Sequence, residues 1–226
     1  HAIDLAAAPR LHLRPLGPEV EPGRRLHEFD DVRSTHARRR LDEVNTPYLA
    51  DSLTINGSWS IYRDFEVMNS ATKRYCPGTG TECGGSGSPA RPDGIYINNC
   101  SHMKFINLVL HDLGHGTYTE PVSAKDIEIY GSVVYNGGDY DDGRSDGHGI
   151  YIKNVQGNPP KYVRDNVIFN MFGFGLHAYS QGGASSYELV NLHFEGNTVF
   201  NSGVLSGYEN PNIHIGGLTH TDLDTF

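Results

Sequence analysis

Lys153, His177, Tyr151 and Tyr179 are of types that move protons, and their spacing allows them to act together. A lysine becomes a base once its charge is suppressed, an imidazole titrates near neutrality, and a phenol can donate a proton. In the strings Ile150-Tyr-Ile-Lys153 and Leu176-His-Ala-Tyr179 the apolar and polar residues alternate. A strand puts alternate side chains on one face, so Tyr151 shares a face with Lys153 and His177 with Tyr179. If the two strings lie side by side, ~4.8 Å apart, the four residues form one patch. Arg144 and His148, just before the first string, would add a charge stabiliser and a second imidazole. The same outward column, extended, takes in Tyr96 and Asn98, Lys125 after Ser123, and His214 as ligand contacts.

A metal can be argued from the same edge. The segment Gly138-Asp-Tyr-Asp-Asp-Gly-Arg-Ser-Asp-Gly-His148 delivers Asp141 and Asp146 there, and Asp93 and Glu120 are placed in the column just before the strands. Oxygen ligands so close together suit Ca2+. The same residues also suit a plain hydrophilic turn.

Positioning these residues requires a repeat, and the chain has one. Asp64-Phe-Glu-Val-Met-Asn69, Ile106-Asn-Leu-Val-Leu-His111, Gly131-Ser-Val-Val-Tyr-Asn136, Asp165-Asn-Val-Ile-Phe-Asn170 and Gly196-Asn-Thr-Val-Phe-Asn201 can be laid over one another. Each is a short apolar strand, ending at Asn69, His111, Asn136, Asn170 or Asn201. Stacked coils explain a shared asparagine column, because Asn tolerates the left-handed turn conformation and can bond to its equivalents above and below. A second set comprises Leu53-Thr-Ile55, Ile95-Tyr-Ile97, Val122-Ser-Ala124, Ile150-Tyr-Ile152, Leu176-His-Ala178 and Ile213-His-Ile215, with Gly94, Gly149 and Gly175 before three of them. The expected fold is all-β: a single-stranded right-handed parallel β-helix of about six coils with extruded loops.

Composition agrees. There are 27 glycines against 37% hydrophobic residues, a turn-dense pattern that a helical bundle would not tolerate. The formal net charge of −9 argues against a nucleic-acid partner, which needs clustered Lys and Arg. No apolar run approaches the ~20 residues of a membrane span. Residues 1–45 are Arg- and Pro-biased with little periodicity and read as an irregular N-terminal segment or cap, leaving 46–226 as the β-helix domain. An incompletely capped end suggests an end-to-end or oligomeric contact. Of the three cysteines, Cys76 and Cys83 bracket a Gly/Thr/Pro loop and could form a small disulfide, while Cys100 is left over as a buried thiol.

Asp93-Gly-Ile-Tyr-Ile-Asn98, His148-Gly-Ile-Tyr-Ile-Lys-Asn154 and Gly173-Phe-Gly-Leu-His-Ala-Tyr179 carry a resemblance. Over about residues 50–217 the chain resembles the bacterial right-handed parallel β-helix repeat proteins of the pectin-lyase-like superfamily. That superfamily holds lyases, hydrolases, epimerases and non-catalytic proteins, so the resemblance implies a fold and a secreted or cell-surface polysaccharide partner, not one reaction. Gly-His-Gly occurs at His115 and at His148, as in the polygalacturonases of this fold, but the accompanying elements are compressed into a dozen residues here and the match is set aside. The leading expectation is a polysaccharide lyase acting on a uronate-containing glycan by β-elimination. Lys153 or His177 would be the base, Arg144 or a calcium ion the charge neutraliser, and Tyr151 or Tyr179 the proton donor. The alternatives are a glycoside hydrolase using Asp93 and Asp146, and a non-catalytic carbohydrate-binding or adhesive module.

Overall fold

A computed structural model describes residues 30–32, 52–69, 74, 92–140, 145–180 and 189–217. The backbone winds through three strand-lined faces per coil, and every strand of these faces pairs in parallel with its equivalents one coil away, while the short pair Asp139–Tyr140 and Ser145–Asp146 is antiparallel; the described residues contain no helix. The chain is a parallel β-helix. The first face begins with the starts of Leu53–Arg63 and Ile95–Ile106, then continues through Thr117–Thr119, Ile150–Ile152, Leu176–Ser180 and Ile213–Gly217. The second face carries Asp30–Val32, the ends of the two long strands, Ala124–Tyr130, Lys161–Arg164 and Leu192–Glu195. On the third face stand Glu66–Met68, Val109–His111, Val133–Tyr135, Val167–Phe169 and Thr198–Phe200. One strand, Asp30–Val32, therefore comes from the segment read as irregular; the rest of residues 1–45 lies outside the described residues, as do Cys76 and Cys83. Cys100 is a buried free thiol.

Alternation fills the core. Ile95 and Ile97, Ile150 and Ile152, and Leu176 and Ala178 point inward from the first face; Ile127, Ile129 and Val163 do so from the second, and Val67, Leu110, Val134 and Ile168 from the third. Each burial removes apolar surface from water, and the stack repeats it coil after coil.

Asn136, Asn170 and Asn201 lie above one another, as expected. Each follows a strand residue of the register Tyr135, Phe169, Phe200, and all three have φ between 53° and 57°. The fourth member is Asp112 (φ 58°), not His111. The sequence alignment slipped by one in that coil, because it matched the outward His111 to the turn. Met68, His111 and Tyr135 share the register, and an aspartate, equally short and polar, occupies the left-handed turn. His111 instead heads an outer stack of rings, His111–Tyr135–Phe169–Phe200, with centroids 4.7, 5.1 and 5.1 Å apart. A second polar ladder lies inside. Asn166 is fully buried and donates to the Ile129 carbonyl (3.1 Å) and to Asn197 Oδ1 (2.9 Å), while Asn197 donates to the Val163 carbonyl (2.8 Å). These side chains give each buried amide a partner inside the stack.

The third rung of the first face is Thr117-Tyr118-Thr119, not Val122-Ser-Ala124. Thr117 pairs with Ile95 and Ile150, and Thr119 with Ile97 and Ile152; both threonines are fully buried. Val122 is 55% exposed in a turn, and Ala124 opens the next face. A search for apolar alternation passes over this rung because threonine fills the inward positions. β-branched threonine suits a strand as well as valine does.

A glycine column turns the corner into the first face. A Cβ on Gly94, Gly116 or Gly149 would stand 2.5 Å from the carbonyl oxygen of the next glycine in the column, Gly116, Gly149 or Gly175 respectively. Coils approach too closely there for any side chain.

Lys161 is the one lysine among the largest fully buried side chains. Its ammonium donates to the carbonyls of Lys153 (2.7 Å), Glu120 (2.9 Å) and Pro121 (3.4 Å), replacing strand pairing where the chain leaves the first face. Burial pushes its pKa down to about 7, opposed by Cys100 and Glu120. Between pH 7 and 10.5 the unfolded chain then holds a proton that the folded chain has released, so stability rises with pH through that window. The effect is on the order of a few kcal/mol. Urea unfolding of wild type and Lys161→Met at pH 7 and pH 10 checks it: the variant shows the shallower rise.

Candidate functional site

Three side-chain columns run along the first face. The central one reads Tyr96, Tyr118, Tyr151, His177, His214, and each is a register partner of the next. Two residues further along each rung stand Asn98, Glu120, Lys153, Tyr179 and Gly216, of which Tyr179 and Gly216 are register partners. Before them, at the glycine corner, stand Asp93, His115, His148 and Phe174, linked coil to coil by the bonds Gly94 N–H to His115 O, Gly116 N–H to His148 O and Gly149 N–H to Phe174 O.

Most of the predicted residues are thus brought together: Tyr96, Asn98, Tyr151, Lys153, His177, Tyr179, His214, His148 and Asp93. Two are relocated by the shifted third rung. Lys125 lies on the strand Ala124–Tyr130, paired with Ser101 on the second face, and leaves the site. Glu120 stays on the site face but in the column after the strand, where its Oε1 accepts from the Tyr96 hydroxyl (2.7 Å); the place assigned to it before the strand belongs to His115. Asp146 lies in a short antiparallel pairing of Ser145–Asp146 with Asp139–Tyr140, which walls one edge. Arg74 holds that wall by donating to the carbonyls of Asn136 (2.6 Å) and Gly138 (2.9 Å) and by pairing with Asp112. Asp141 and Arg144 lie outside the described residues.

Rings interlock along the floor. Tyr151 stacks on His177 (4.6 Å between centroids, 10° between planes), and His177 on His214 (5.0 Å, 12°). His148 meets Tyr151, His177 and His115 edge-on at 5.1, 4.4 and 4.8 Å. Stacking of this kind packs the ring faces against one another and leaves both His177 nitrogens buried.

Electrostatics divides the face into two edges. On one, Lys153 is 6% exposed, with its Nζ 4.7 Å from the Tyr151 ring centroid and 6.0 Å from that of Tyr179. Burial lowers its pKa and Glu120 opposes the shift. Burial raises the Tyr151 phenol, with smaller pushes from Tyr118, Tyr179 and Asp146, so it stays protonated. On the other edge Asp93 Oδ1 accepts from both Nδ1 (2.7 Å) and the backbone N–H (2.8 Å) of His115. Burial works against both charges, yet the pairing prevails: the Asp93 carboxyl is lowered and the His115 imidazole raised. Between the edges, burial and then the neighbouring His214, His115 and Lys153 push His177 down to about 3. Neither ring nitrogen of His177 has a hydrogen-bond partner.

His115, Tyr118 and Phe174 were missed from sequence. The signal was available in the duplicated Gly114-His-Gly116 and Gly147-His-Gly149: aligning those glycines sets Thr117-Tyr-Thr119 on Ile150-Tyr-Ile152 at once. Among the described residues His115, Asp146 and His148 offer ligand atoms that all lie within 4.8 Å of one another. Comparison with family models, curated proteins and solved structures finds no match to this chain.

Proposed function

We propose that this β-helix is an extracellular polysaccharide lyase that cleaves a uronate-containing glycan by β-elimination across the first face. The observation that carries the reading is Lys153: a buried lysine, its charge disfavoured by burial, held over two phenol rings on the first face. A neutral amine there can take the proton α to the uronate carboxylate. As the C4–O4 bond breaks, a C4=C5 double bond forms, and Tyr151 or Tyr179 returns a proton to the leaving oxygen. The substrate carboxylate, whose charge grows in the transition state, faces the opposite edge at His115, where pairing with Asp93 sustains positive character as long as no cation occupies Nε2. The strings Gly94-Ile-Tyr-Ile97 and Gly149-Ile-Tyr-Ile152, which resemble the pectin-lyase-like superfamily, support the same substrate class.

The hydrolase reading weakens on one observation. A glycosidase acid needs a raised carboxyl pKa, and Asp93, lowered by the charge and hydrogen bonds of His115, fits only the role of the ionised partner. Asp93→Asn is accordingly expected to lower the rate without changing the type of product.

The test is a panel of alginate, pectate and neutral polysaccharides incubated with the protein, with ultraviolet absorbance of unsaturated ends and reducing ends read together. Equal growth of both supports elimination. Reducing ends without absorbance indicate hydrolysis, and binding with neither product indicates a carbohydrate-binding module; each of these overturns the lyase reading.

A further inference from the structure

We infer that His115, Asp146 and His148 form a site for one divalent transition-metal ion of the zinc type, bordered by the unpartnered imidazole of His177. Three observations converge. The ligand atoms of the trio lie within 4.8 Å of one another, a span that a modest closure brings into the ~2.0–2.2 Å bonding range of a single ion. His115 already has the outer support that metal-binding histidines carry: Asp93 accepts from its Nδ1, fixing the lone pair on Nε2 and raising its basicity. His177 is 7% exposed, with both ring nitrogens buried and unbonded, 4.4 Å centroid to centroid from His148. A buried polar ring with no partner requires a cause, and an adjacent ion or its bound water is one.

Donor chemistry selects the ion. Two imidazoles and a carboxylate suit Zn2+ or Co2+, whereas Ca2+ takes oxygen ligands. This departs from the calcium expected from Asp141, Asp146, Asp93 and Glu120. Of the three that lie among the described residues, only Asp146 is a ligand here; Asp93 is a positioning residue, and Glu120 is committed to Tyr96 in another column.

One contact opposes the ion and supplies a diagnostic. His148 Nδ1 accepts from the Phe174 N–H (3.1 Å), which places the proton of the neutral ring on Nε2. Coordination through Nε2 moves that proton to Nδ1 and breaks the Phe174 bond. One lost neutral hydrogen bond weakens binding by about tenfold, less than a coordinate bond contributes. A role for the ion in meeting the substrate carboxylate rests on the lyase reading; its binding does not.

The full chain is titrated with Co2+ and followed by its visible ligand-field bands, with Zn2+ and Ca2+ as competitors. One equivalent is expected, displaced by Zn2+ and not by Ca2+, with a shift of the Phe174 amide in the nuclear magnetic resonance spectrum. Asp146→Asn and His115→Ala should each weaken binding by more than the ~10–100-fold expected for Asp93→Asn. His193→Ala on the second face should leave it unchanged. Absence of binding, displacement by Ca2+, or undiminished affinity in both Asp146→Asn and His115→Ala overturns the site. Binding without unsaturated product overturns the lyase alone, and elimination without binding overturns the ion alone.

Discussion

Lys153→Ala lowers the rate of elimination by about 10²–10⁴-fold, the range expected when a positioned base is removed. The groove should still bind polysaccharide, because Tyr96, Tyr118 and Tyr151 keep their places in the stack. Lys153→Arg should be as inactive as the alanine variant, since a guanidinium does not give up its proton in this pH range. If the protein is the proposed lyase, wild-type kcat/KM is expected to rise with pH and level off below the ordinary lysine range, because burial lowers the Lys153 pKa and the unprotonated form would be the base. His177 competes poorly for the role: with its pKa near 3 it is neutral but weakly basic. Turnover that survives in the Lys153→Ala/His177→Ala double variant would remove both bases from consideration.

Gly149→Ala destabilises the fold by about 3 kcal/mol or more. Its Cβ would stand 2.5 Å from the Gly175 carbonyl oxygen and 2.4 Å from Ile168 Cγ2. The isoleucine methyl belongs to the core, and the carbonyl accepts the Ile150 N–H at 3.0 Å in the coil-to-coil ladder. Neither can withdraw without separating two coils, so the strain lies at the top of the ~1–3 kcal/mol range for overpacking or above it. Gly157→Ala is the control: φ is +85° but nothing lies within 4 Å of the added Cβ, so only the left-handed penalty of ~1–2 kcal/mol applies. Urea midpoints of the two variants should differ clearly. Equal midpoints would mean that the corner is looser than the glycine column indicates. A folded Gly149→Ala protein should also lose activity, since the glycine sits between His148 and Tyr151.

The coils were legible because their inward residues are aliphatic at strand spacing: Ile95/Ile97, Ile150/Ile152 and Leu176/Ala178 announce both strand and direction. The site was legible only where it stood on such rungs. Tyr151, Lys153, His177 and Tyr179 were found together because two adjacent rungs are plainly apolar. The neighbouring rung hides behind Thr117 and Thr119, which have the shape of strand residues but not the hydropathy, and its outward Tyr118 vanished with it. His111 was misplaced for a related reason: a turn is fixed by backbone conformation, and Asp112 supplies that conformation as well as asparagine does. The Asp93–His115 pairing lay beyond sequence reading altogether, since it joins residues 22 apart that only stacking makes neighbours.

The short pairing of Asp139–Tyr140 with Ser145–Asp146 interrupts the path between the third face and the first, and the segment 155–160 interrupts the path out of the first face. The rungs on either side of both keep their register. Specificity and scaffold are therefore separable: the banks of the channel can lengthen, shorten or change charge while its bed is conserved in place. An engineer could lengthen or recharge the segment 155–160 while leaving the rungs of the first face intact.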